Sequence, residues 1–483
     1  MRHLAASLLL LALGASSSTQ VPANFGSPWP PLPAPGPFRD ELVVLTRPSP
    51  TTRYPQPDGR HAGLEHDLAT GFAEELGVPL RFIEARSVSE VVERLARGEA
   101  HLAAAGLAPT GPLRERFRFG PGYMNVRQIV VQRRDAGNLR SVHALQTARV
   151  VVASGSSGAE HLARALGPAG APGVERLAAD NPEDVTGSLL AGEADYAVTS
   201  SHFFDLVRTA FPMLTRSLPV GRPETLAWAL PRGSDPELMK QVRRYFRHIA
   251  ADGTLARLVD RYYGHVKRLD ALRVVEFLDA IGSDLPRFRR HFEAAQQATG
   301  IDWRLIAALG FQESKWEPQA TSPTGVRGLM MLTADTAARL GLGNRLDARR
   351  SILAGARYLR DLRDRLPERI PEPDRTWLAL AAYNQGLGHL EDARVLTQTL
   401  GLNPDAWIDV KQALPRLADP EVYESLKHGY ARGGEAMALT ENVRAYYQIL
   451  VQLEDPWTQT PAAADDDGER EREAPEQPDA MYL

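Results

Sequence analysis

The chain has 483 residues, of which 43% are hydrophobic, 24% charged and 7% aromatic. This length predicts two or three domains, and the ordinary globular balance excludes a wholly disordered chain and a polytopic membrane protein. The formal net charge of −4 provides no basic field, which excludes nucleic acid as the expected main partner. The absence of cysteine excludes disulfides, thiolate metal sites, cysteine nucleophiles and a lipid-bearing N-terminal cysteine.

The N-terminus follows the pattern of a secretory signal peptide. A short positive start precedes an apolar run from Leu4 to Ala15 and a serine-rich stretch. The apolar run is shorter than the roughly 20 residues that a membrane-spanning helix needs. We therefore predict a signal peptide over residues 1–20 and an exported chain, with an uncleaved membrane anchor as the alternative. Frequent prolines predict an extended linker over residues 21–37.

Two patterns divide the rest of the chain. Up to about residue 267, short β-type runs such as Leu42–Leu45 alternate with helical segments, which is typical of an α/β domain with a mostly parallel sheet. From about Leu269 to Leu453, helix-period segments dominate and strand runs vanish. The predicted organisation is a multidomain chain with an α/β domain over residues 38–267, an all-α domain over 268–456 and a disordered acidic tail over 457–483.

Several motifs of the first domain resemble the extracellular solute-binding proteins that carry polar amino acids. They include Gly63-Leu64-Glu65-His66-Asp67-Leu68, Ala104-Ala105-Gly106-Leu107 and Phe119-Gly120-Pro121-Gly122-Tyr123. The resemblance implies a two-lobed, periplasmic-binding-protein-like fold whose lobes are joined by crossing strands, near residues 128–133 and 225–231. Such lobes close on a small ligand, here a small peptide or muropeptide.

The ligand clamp of that family is displaced in this sequence. In amino-acid-binding members, an arginine three residues after the cleft threonine binds the ligand carboxylate. Counted from Thr110, that place holds Leu113, and Arg114 follows one residue late. Thr110 and Arg114 are therefore the candidate ligand contacts, and Arg114 is either a shifted clamp or a surface arginine.

In the second domain, a carboxylate lies on an apolar helix face. Asp302 is a suitable N-cap for a helix from Trp303 to about Glu313. Leu305, Leu309 and Glu313 are four residues apart and share one face of that helix. Desolvation on such a face raises the pKa of a carboxyl, which suits a general acid near neutral pH. Periodicity alone equally allows a glutamate at a frayed helix end that reaches water.

Motifs around Glu313 resemble the lysozyme-like domain of the soluble-type lytic murein transglycosylases. They are Glu313-Ser314, Gly328-Leu329-Met330-Met331 and Ala381-Ala382-Tyr383-Asn384, in the family's order. Together with the solute-binding-like domain in front, they resemble the membrane-bound F-type branch of this family. The resemblance implies that Glu313 is the catalytic acid/base. It also implies a set of substrate-binding or supporting residues: Ser314, Ser322, Met330, Tyr383, Asn384 and Glu441.

Without the resemblance, most of these residues have a structural interpretation as well. Ser314 is either a helix C-terminal cap or a substrate contact, and Ser322 belongs to a turn-forming Ser-Pro-Thr-Gly sequence. Tyr383 is a core aromatic whose hydroxyl needs a partner. Glu441 either lines the cleft or is an exposed helix glutamate. Met331 replaces a glutamine found in many relatives and removes one polar cleft contact.

The number of catalytic carboxylates bears on the reaction. Ordinary glycoside hydrolysis uses two carboxylates, whereas only Glu313 lies in a recognised catalytic motif. The resemblance implies that Glu313 protonates the oxygen of the MurNAc-GlcNAc β-1,4 bond and then deprotonates the sugar's own C6 hydroxyl. The products carry 1,6-anhydro-MurNAc ends and no water is consumed. A hydrolytic lysozyme-type muramidase and a solute receptor with an inactive wall-binding helical domain are the alternatives.

No cofactor and no metal site is expected, because His389 and His428 are isolated in the sequence and fit structural roles. The resemblance implies peptidoglycan as substrate, no nucleic-acid partner, and a periplasmic location with peripheral attachment to the outer membrane. The leading hypothesis is a cell-wall lyase that acts in wall turnover and remodelling, and whose first domain senses a ligand and tunes the activity.

Overall fold

The computed structural model describes residues 36–55, 60–137, 139–167, 175–208, 211–266 and 268–455. The expected signal peptide, most of the expected proline-rich linker and the expected acidic tail lie outside these residues. Within them, a unit of strands and helices precedes a unit made of helices, which confirms the predicted fold class. No helix in these segments is long and apolar enough to cross a membrane.

The first unit is a two-lobed α/β structure. Its strands are β1 (Leu42–Thr46), β2 (Tyr54–Pro55), β3 (His61–Ala62), β4 (Leu80–Glu84), β5 (Leu102–Ala103), β6 (Phe117–Arg133), β7 (Arg149–Ala153), β8 (Glu175–Ala179), β9 (Tyr196–Ser200) and β10 (Leu214–Pro231). Its helices are α1 (Leu64–Leu76), α2 (Val88–Ala96), α3 (Gly111–Arg116), α4 (Ser157–Leu166), α5 (Pro182–Ala191), α6 (Ser201–Val207), α7 (Pro236–Ala251) and α8 (Thr254–Tyr263), with a 3-10 turn at Val142–Thr147.

Two long strands join the lobes. In the described residues the main sheet has the order β4-β1-β5-β10-β6-β9-β7-β8. β1 pairs in parallel with β4 and β5 in one lobe, and β7 pairs in parallel with β8 and β9 in the other. β6 and β10 are antiparallel to each other and contain the two segments predicted to cross between the lobes. The sheet is therefore mixed, and its parallel parts lie within the lobes.

Burial explains why the sequence pattern predicted the strands. Every residue of β1 is buried, because helices cover both faces of a parallel strand, and such strands read as continuous apolar runs. Separate apolar clusters fill the lobes, one built around Phe72 and Trp228 and another around Val151 and Phe204.

The second unit consists of helices around one apolar cluster. Trp303, Trp316, Trp407, Phe277 and Phe292 are among its largest fully buried side chains. Phe277 comes from the helix that directly follows the first unit, so the connecting stretch is itself part of this core. The helices are α9 (Ala271–Ser283), α10 (Leu285–Thr299), α11 (Trp303–Ser314), α12 (Ala334–Arg339), α13 (Ala348–Asp364), α14 (Asp374–Gln385), α15 (Leu387–Thr399), α16 (Trp407–Ala413), α17 (Pro420–Tyr423) and α18 (Gly433–Leu453), with a 3-10 turn at Leu414–Ala418.

Candidate active site

Helix α11 carries Glu313 in its last turn. The Asp302 side chain accepts a hydrogen bond from the backbone N–H of Arg304, which caps the helix at the predicted place. Leu305 and Leu309, one and two turns before Glu313, are 5% and 0% exposed. The helix ends after Ser314 because the next residues, Lys315 and Trp316, take left-handed backbone angles with φ of 55° and 61°. Glu313 therefore lies at the end of an apolar helix face, where its side chain is half-buried.

Desolvation dominates the electrostatics of Glu313. Burial raises the pKa of this carboxyl to about 8, and among the described residues no charge or hydrogen bond adds to or offsets the shift. The carboxyl is therefore mostly protonated at neutral pH. A neutral carboxyl is able to donate a proton, as a general acid must.

Tyr383 links helix α14 to the Gly328–Met331 loop. Its hydroxyl donates a hydrogen bond to the backbone oxygen of Met330 at 2.8 Å. Burial raises the pKa of Tyr383 well above its usual value, and the nearby Glu313 carboxylate raises it further. Tyr383 therefore remains a neutral donor close to Glu313, and the partner that it binds is the loop backbone.

Met330 is buried beneath the loop and packs against helix α13. Its side chain is 0% exposed, and a Cβ added to Gly355 of α13 would lie 2.7 Å from the Cβ of Met330. Its backbone N–H donates to the hydroxyl of Ser351, which is also fully buried, at 3.2 Å. Met330 was predicted as a substrate-binding or supporting residue, and its complete burial leaves only the supporting role.

Ser314 also holds this loop. Its hydroxyl lies 2.8 Å from the backbone oxygen of Leu329 and 3.3 Å from that of Gly310 in the preceding turn. The second contact is a bond from the last residue of the helix to the carbonyl four residues earlier, and the helix is capped at the next residue, Lys315. The first contact is new, and it joins the helix that carries Glu313 to the neighbouring motif.

Gly328 allows the loop to pass close to another backbone segment. It has φ of +84°, and a Cβ at this position would lie 1.8 Å from the backbone oxygen of Arg345. The Arg345 side chain in turn donates to the backbone oxygen of Leu332 at 2.8 Å. Met331 adopts φ of +46°, a left-handed conformation that is uncommon for a non-glycine residue and costly to hold. Sequence reasoning singled out Met331 but missed Arg345, Ser351 and Gly355.

Ser322 and Asn384 lie nearer the surface. The Ser322 hydroxyl accepts hydrogen bonds from the backbone N–H groups of Thr324 and Val326, so it organises the turn that its sequence indicates. Asn384 follows Tyr383 in α14 and is exposed. The amide atoms of the next residue, Gln385, are buried without a hydrogen-bond partner in the described part of the chain.

Glu441 is buried among charged and aromatic side chains of the second unit. It is 6% exposed, so the alternative of an exposed helix glutamate is wrong. Its carboxylate accepts a hydrogen bond from the indole N–H of Trp407 at 2.6 Å and from Arg444 at 2.6 Å. Burial pushes the pKa of Glu441 upward, but Arg444 and Lys411 outweigh it and hold this pKa below its usual value. The contacts that the structure gives Glu441 are with these groups and not with Glu313.

The same cluster joins the two units of the chain. Asp260 belongs to α8 of the first unit, and Arg444 belongs to α18 of the second. Arg444 Nη1 donates to Asp260 at 3.1 Å, and its Nη2 donates to the backbone oxygen of Asp260 at 2.8 Å. Lys411 bonds both Asp260 and Glu441. We call Asp260, Lys411, Glu441 and Arg444 the junction cluster.

The lobes of the first unit are closed on one another. Thr110 donates to Glu160 of the opposite lobe at 2.7 Å. Arg114 is exposed and its Nε donates to the backbone oxygen of Pro109, as a surface arginine does. A cavity of about 70 Å³ lies between the lobes, and neither Thr110 nor Arg114 is among the described residues that line it. Arg47, which sequence reasoning missed, does line it.

Metal-binding side chains are not clustered in the part of the chain that the structure describes, where no group of three or more His, Asp or Glu residues could hold an ion. His389 and His428 are not isolated, contrary to the expectation from sequence. Their ring centroids are 6.0 Å apart in an edge-to-face contact, since the fold brings α15 close to the segment before α18.

Known families match both units. The family described as "Transglycosylase SLT domain" matches residues 290–403, and the family described as "Bacterial extracellular solute-binding proteins, family 3" matches residues 42–265. A solved structure of a mutant ArgBP from T. maritima is similar to the first unit, with 21% identity, a TM-score of 0.43, and coverage of 47% of this chain and 96% of that one. The two family matches define a lytic transglycosylase that carries a solute-binding-like domain.

Curated relatives match along most of the chain. The protein named membrane-bound lytic murein transglycosylase F in Methylobacillus flagellatus is 42% identical over 87% of this chain and 91% of its own length. The protein of the same name in Nitrosospira multiformis is 44% identical over 87% of each chain. The chain belongs to the membrane-bound lytic murein transglycosylase F family. It is a lyase-type enzyme of the cell envelope whose substrate is peptidoglycan, and its solute-binding-like domain fits a small ligand.

Proposed function

We propose that Glu313 is the single acid/base of a non-hydrolytic cleavage of peptidoglycan. The observation that supports this most strongly is the pKa of about 8, which keeps the carboxyl protonated before the reaction. Desolvation is the sole resolved cause of this raised pKa among the described residues, so no second carboxylate contributes to it. A two-carboxylate hydrolysis would need such a partner within several ångströms.

The proposed reaction uses the same carboxyl twice. Glu313 first donates its proton to the glycosidic oxygen of the MurNAc-GlcNAc β-1,4 bond, and the bond from that oxygen to C1 of MurNAc breaks. The carboxylate then accepts the proton of the C6 hydroxyl while O6 bonds to C1. The product is 1,6-anhydro-MurNAc, and the enzyme recovers its proton. The internal hydroxyl competes well with solvent because it is held close to C1.

The neighbouring residues are assigned supporting roles in this proposal. Tyr383, Met330 and Ser314 hold the Gly328–Met331 loop against the helix of Glu313 by the contacts described above. Ser322 and Asn384 lie nearer the surface, where contact with a glycan strand is possible. Glu441 is assigned to the junction between the domains. The domains themselves are proposed to extend over residues 38–267 and 268–456.

Product analysis tests the reaction. The mature chain and its Glu313→Gln variant would be incubated with purified peptidoglycan, and the released fragments weighed by mass spectrometry. Glu317→Gln is the matched control, since Glu317 lies four residues away and is exposed. We expect anhydro-muropeptides from the wild type and the control and none from Glu313→Gln. Products one water heavier would establish a hydrolase, and activity retained by Glu313→Gln would refute the assignment.

We further propose that the solute-binding-like domain senses a small peptide or muropeptide and regulates the lyase through helix α8. Tyr263 of α8 has its ring 6.0 Å from that of His202, which lines the lobe cavity. Asp260, one turn earlier in α8, bonds Arg444 and Lys411 of the catalytic domain. One helix therefore contacts both the cavity wall and the catalytic domain, so that a shift of this helix on ligand binding would reach the junction cluster.

Removal of the junction charge tests this coupling. We expect Asp260→Asn to change the rate of peptidoglycan solubilisation by the full chain at least about twofold, because it removes the ion pairs of Asp260 with Arg444 and Lys411 across the junction and leaves Arg444 paired with Glu441 of its own helix. Asp279→Asn, an exposed aspartate on α9, is the control. Circular dichroism would show that both variants are folded. An unchanged rate in Asp260→Asn would contradict coupling through the cluster.

We also infer an exported, periplasmic protein that is held peripherally at the outer membrane. The relatives are named membrane-bound, and the first residues have the pattern of a signal peptide. Fractionation of cells that express the chain would test the location. Recovery with the outer membrane and release by a salt wash are expected, whereas recovery in the cytoplasm or resistance to the wash would contradict this part of the proposal.

A further inference from the structure

The cavity between the lobes is lined by several groups that favour an anion. On one side it is lined by Arg47 and Thr51, from the segment that follows β1. On the other side it is lined by Ser156 and Ser157 at the start of α4 and by Pro182 at the start of α5. Helix N-termini carry partial positive charge and unpaired N–H groups, and both favour an anion. A guanidinium and two helix N-termini therefore face one small space. The Glu224 carboxylate lies beside the cavity wall and accepts hydrogen bonds from two lining residues, Ser157 and Gln128.

Several buried polar atoms of the cavity wall are not hydrogen-bonded. Arg47 is 4% exposed, and its Nε finds no partner among the residues that the structure describes. In the same described set, the hydroxyl of Thr199, a residue 6% exposed, and Nδ1 of His202 also have none. Buried polar groups in folded proteins are nearly always paired, so several unpaired ones on residues that line one cavity indicate a binding site.

One side of the Arg47 guanidinium is already occupied by the opposite lobe. Its Nη1 donates to Oε2 of Glu183 at 2.9 Å. The hydroxyl of Ser49 donates to the other carboxylate oxygen of Glu183 at 2.6 Å. Glu183 belongs to the first turn of α5, so this contact ties the two lobes together. A carboxylate provided by the chain itself therefore lies against the arginine of the cavity.

The cavity is too small to admit a ligand while Glu183 is bound to Arg47. The space of about 70 Å³ is well below the roughly 300 Å³ at the low end of small-molecule pockets. A ligand of more than a few non-hydrogen atoms therefore requires the lobes to part. Parting the lobes breaks the Arg47–Glu183 contact, and it frees the two-donor edge of the guanidinium and the Ser49 hydroxyl for another carboxylate.

We propose that Arg47 anchors the carboxylate of a small organic acid in the lobe cleft, and that Glu183 takes the place of that carboxylate when no ligand is bound. This inference rests on the proposed sensing function of the first domain and names the chemistry of its ligand. The anchor comes from the segment after β1, and not from the position where Arg114 was expected to act.

Binding of matched acid and amide probes tests this assignment in the full mature chain. The probes are acetate with acetamide and L-lactate with L-lactamide, each titrated while the midpoint of thermal unfolding is measured. The variants are Glu183→Gln, which removes the competitor, and Arg47→Met, which removes the anchor. Asp135→Asn is the control, because it removes an acidic charge of the same lobe whose side chain is 74% exposed.

We expect at least one acid, and not its amide, to bind Glu183→Gln saturably and about tenfold more tightly than the wild type, since a charge-assisted hydrogen bond no longer has to be broken. Asp135→Asn should bind like the wild type, and Arg47→Met should lose the binding. If no acid binds saturably to Glu183→Gln, the proposal is overturned. Unchanged binding by Arg47→Met, or binding by Glu183→Gln that is weaker than that of the wild type, would overturn it too.

Peptidoglycan cleavage by the same proteins separates this inference from the proposed function. Asp135→Asn leaves both the cavity and Glu313 intact, so it should release anhydro-muropeptides as the wild type does. If acid binding follows the expected pattern but the wild type releases none, the proposed reaction fails and the ligand site stands. If anhydro products form and no acid binds, the ligand site fails alone.

Discussion

Replacement of Glu313 by glutamine should change how the stability of the catalytic domain depends on pH. Glutamine has nearly the same shape as a protonated glutamate but does not titrate in this range. The pKa of the Glu313 carboxyl is raised from 4.5 to about 8 by burial, so the folded state binds this proton more tightly than the unfolded state does. The stabilisation from the bound proton is complete below about pH 4.5. It is lost as the pH rises towards about 8.

The size of the loss follows from the shift. One pKa unit corresponds to about 1.4 kcal/mol, so the full shift from 4.5 to about 8 sets an upper bound of about 5 kcal/mol. Glu313 is half-buried and water reaches part of its side chain, which reduces this figure to the order of 2–3 kcal/mol. A domain of about this size changes its unfolding midpoint by about 2–4 °C for each kcal/mol.

Differential scanning calorimetry of the wild type and Glu313→Gln between pH 5 and 9 measures this effect in the transition of the catalytic domain. The variant should gain at least about 4 °C relative to the wild type between pH 5 and 9, with the gain complete near pH 8. Glu317→Gln should show no such trend. A difference that stays constant from pH 5 to 9 would show that the carboxyl titrates near its ordinary value, and the argument from desolvation would be refuted.

Three further substitutions have expected outcomes that calorimetry can measure. Gly328→Ala should lower the free energy of unfolding by about 2–5 kcal/mol, because of the positive φ at this position and the backbone oxygen that the new Cβ would meet. Gly325→Ala, where φ is +82° and the Cβ would lie in open space, should lower it by only about 1 kcal/mol. Equal losses in the two variants would contradict the steric argument. Arg444→Met should lower the free energy of unfolding by about 3 kcal/mol, since it removes the ion pairs of Arg444 with Asp260 and Glu441 and leaves Lys411 as the remaining cation of the cluster, and a loss below about 1 kcal/mol would contradict burial of the cluster. Tyr383→Phe should cost about 1 kcal/mol through the lost bond to Met330, and a neutral effect would show that water replaces this bond.

Local pattern accounts for what the sequence predicted correctly. The continuous apolar run of β1 and the four-residue spacing that ends at Glu313 are properties of neighbouring residues, and backbone geometry converts them directly into strands and helix faces. The cap at Asp302 has the same local origin. The enzyme class was identified from the motifs around Glu313, because their resemblance to a known family rests on short stretches of sequence.

Tertiary structure decided the partners of charged side chains. Arg47 and Glu183 are 136 residues apart, and Asp260 and Arg444 are 184 apart. Charged residues are frequent along the whole chain, and no periodicity shows which of them will be buried together. Glu441 was consequently expected to line the cleft or to be exposed, and no spacing in the sequence predicted its pairing with Arg444 and Lys411 in the junction cluster.

The sequence by itself therefore determined the fold class and the enzyme class, and it selected Glu313 as the candidate catalytic carboxyl, since each of these rests on short-range patterns and motifs. Only the tertiary structure decided that the lobe cavity presents Arg47 instead of Arg114, and that one helix, α8, contacts both that cavity and the catalytic domain. The physical reason is that burial and pairing depend on which distant segments pack together, and this packing minimises the free energy of the whole chain rather than that of any one segment.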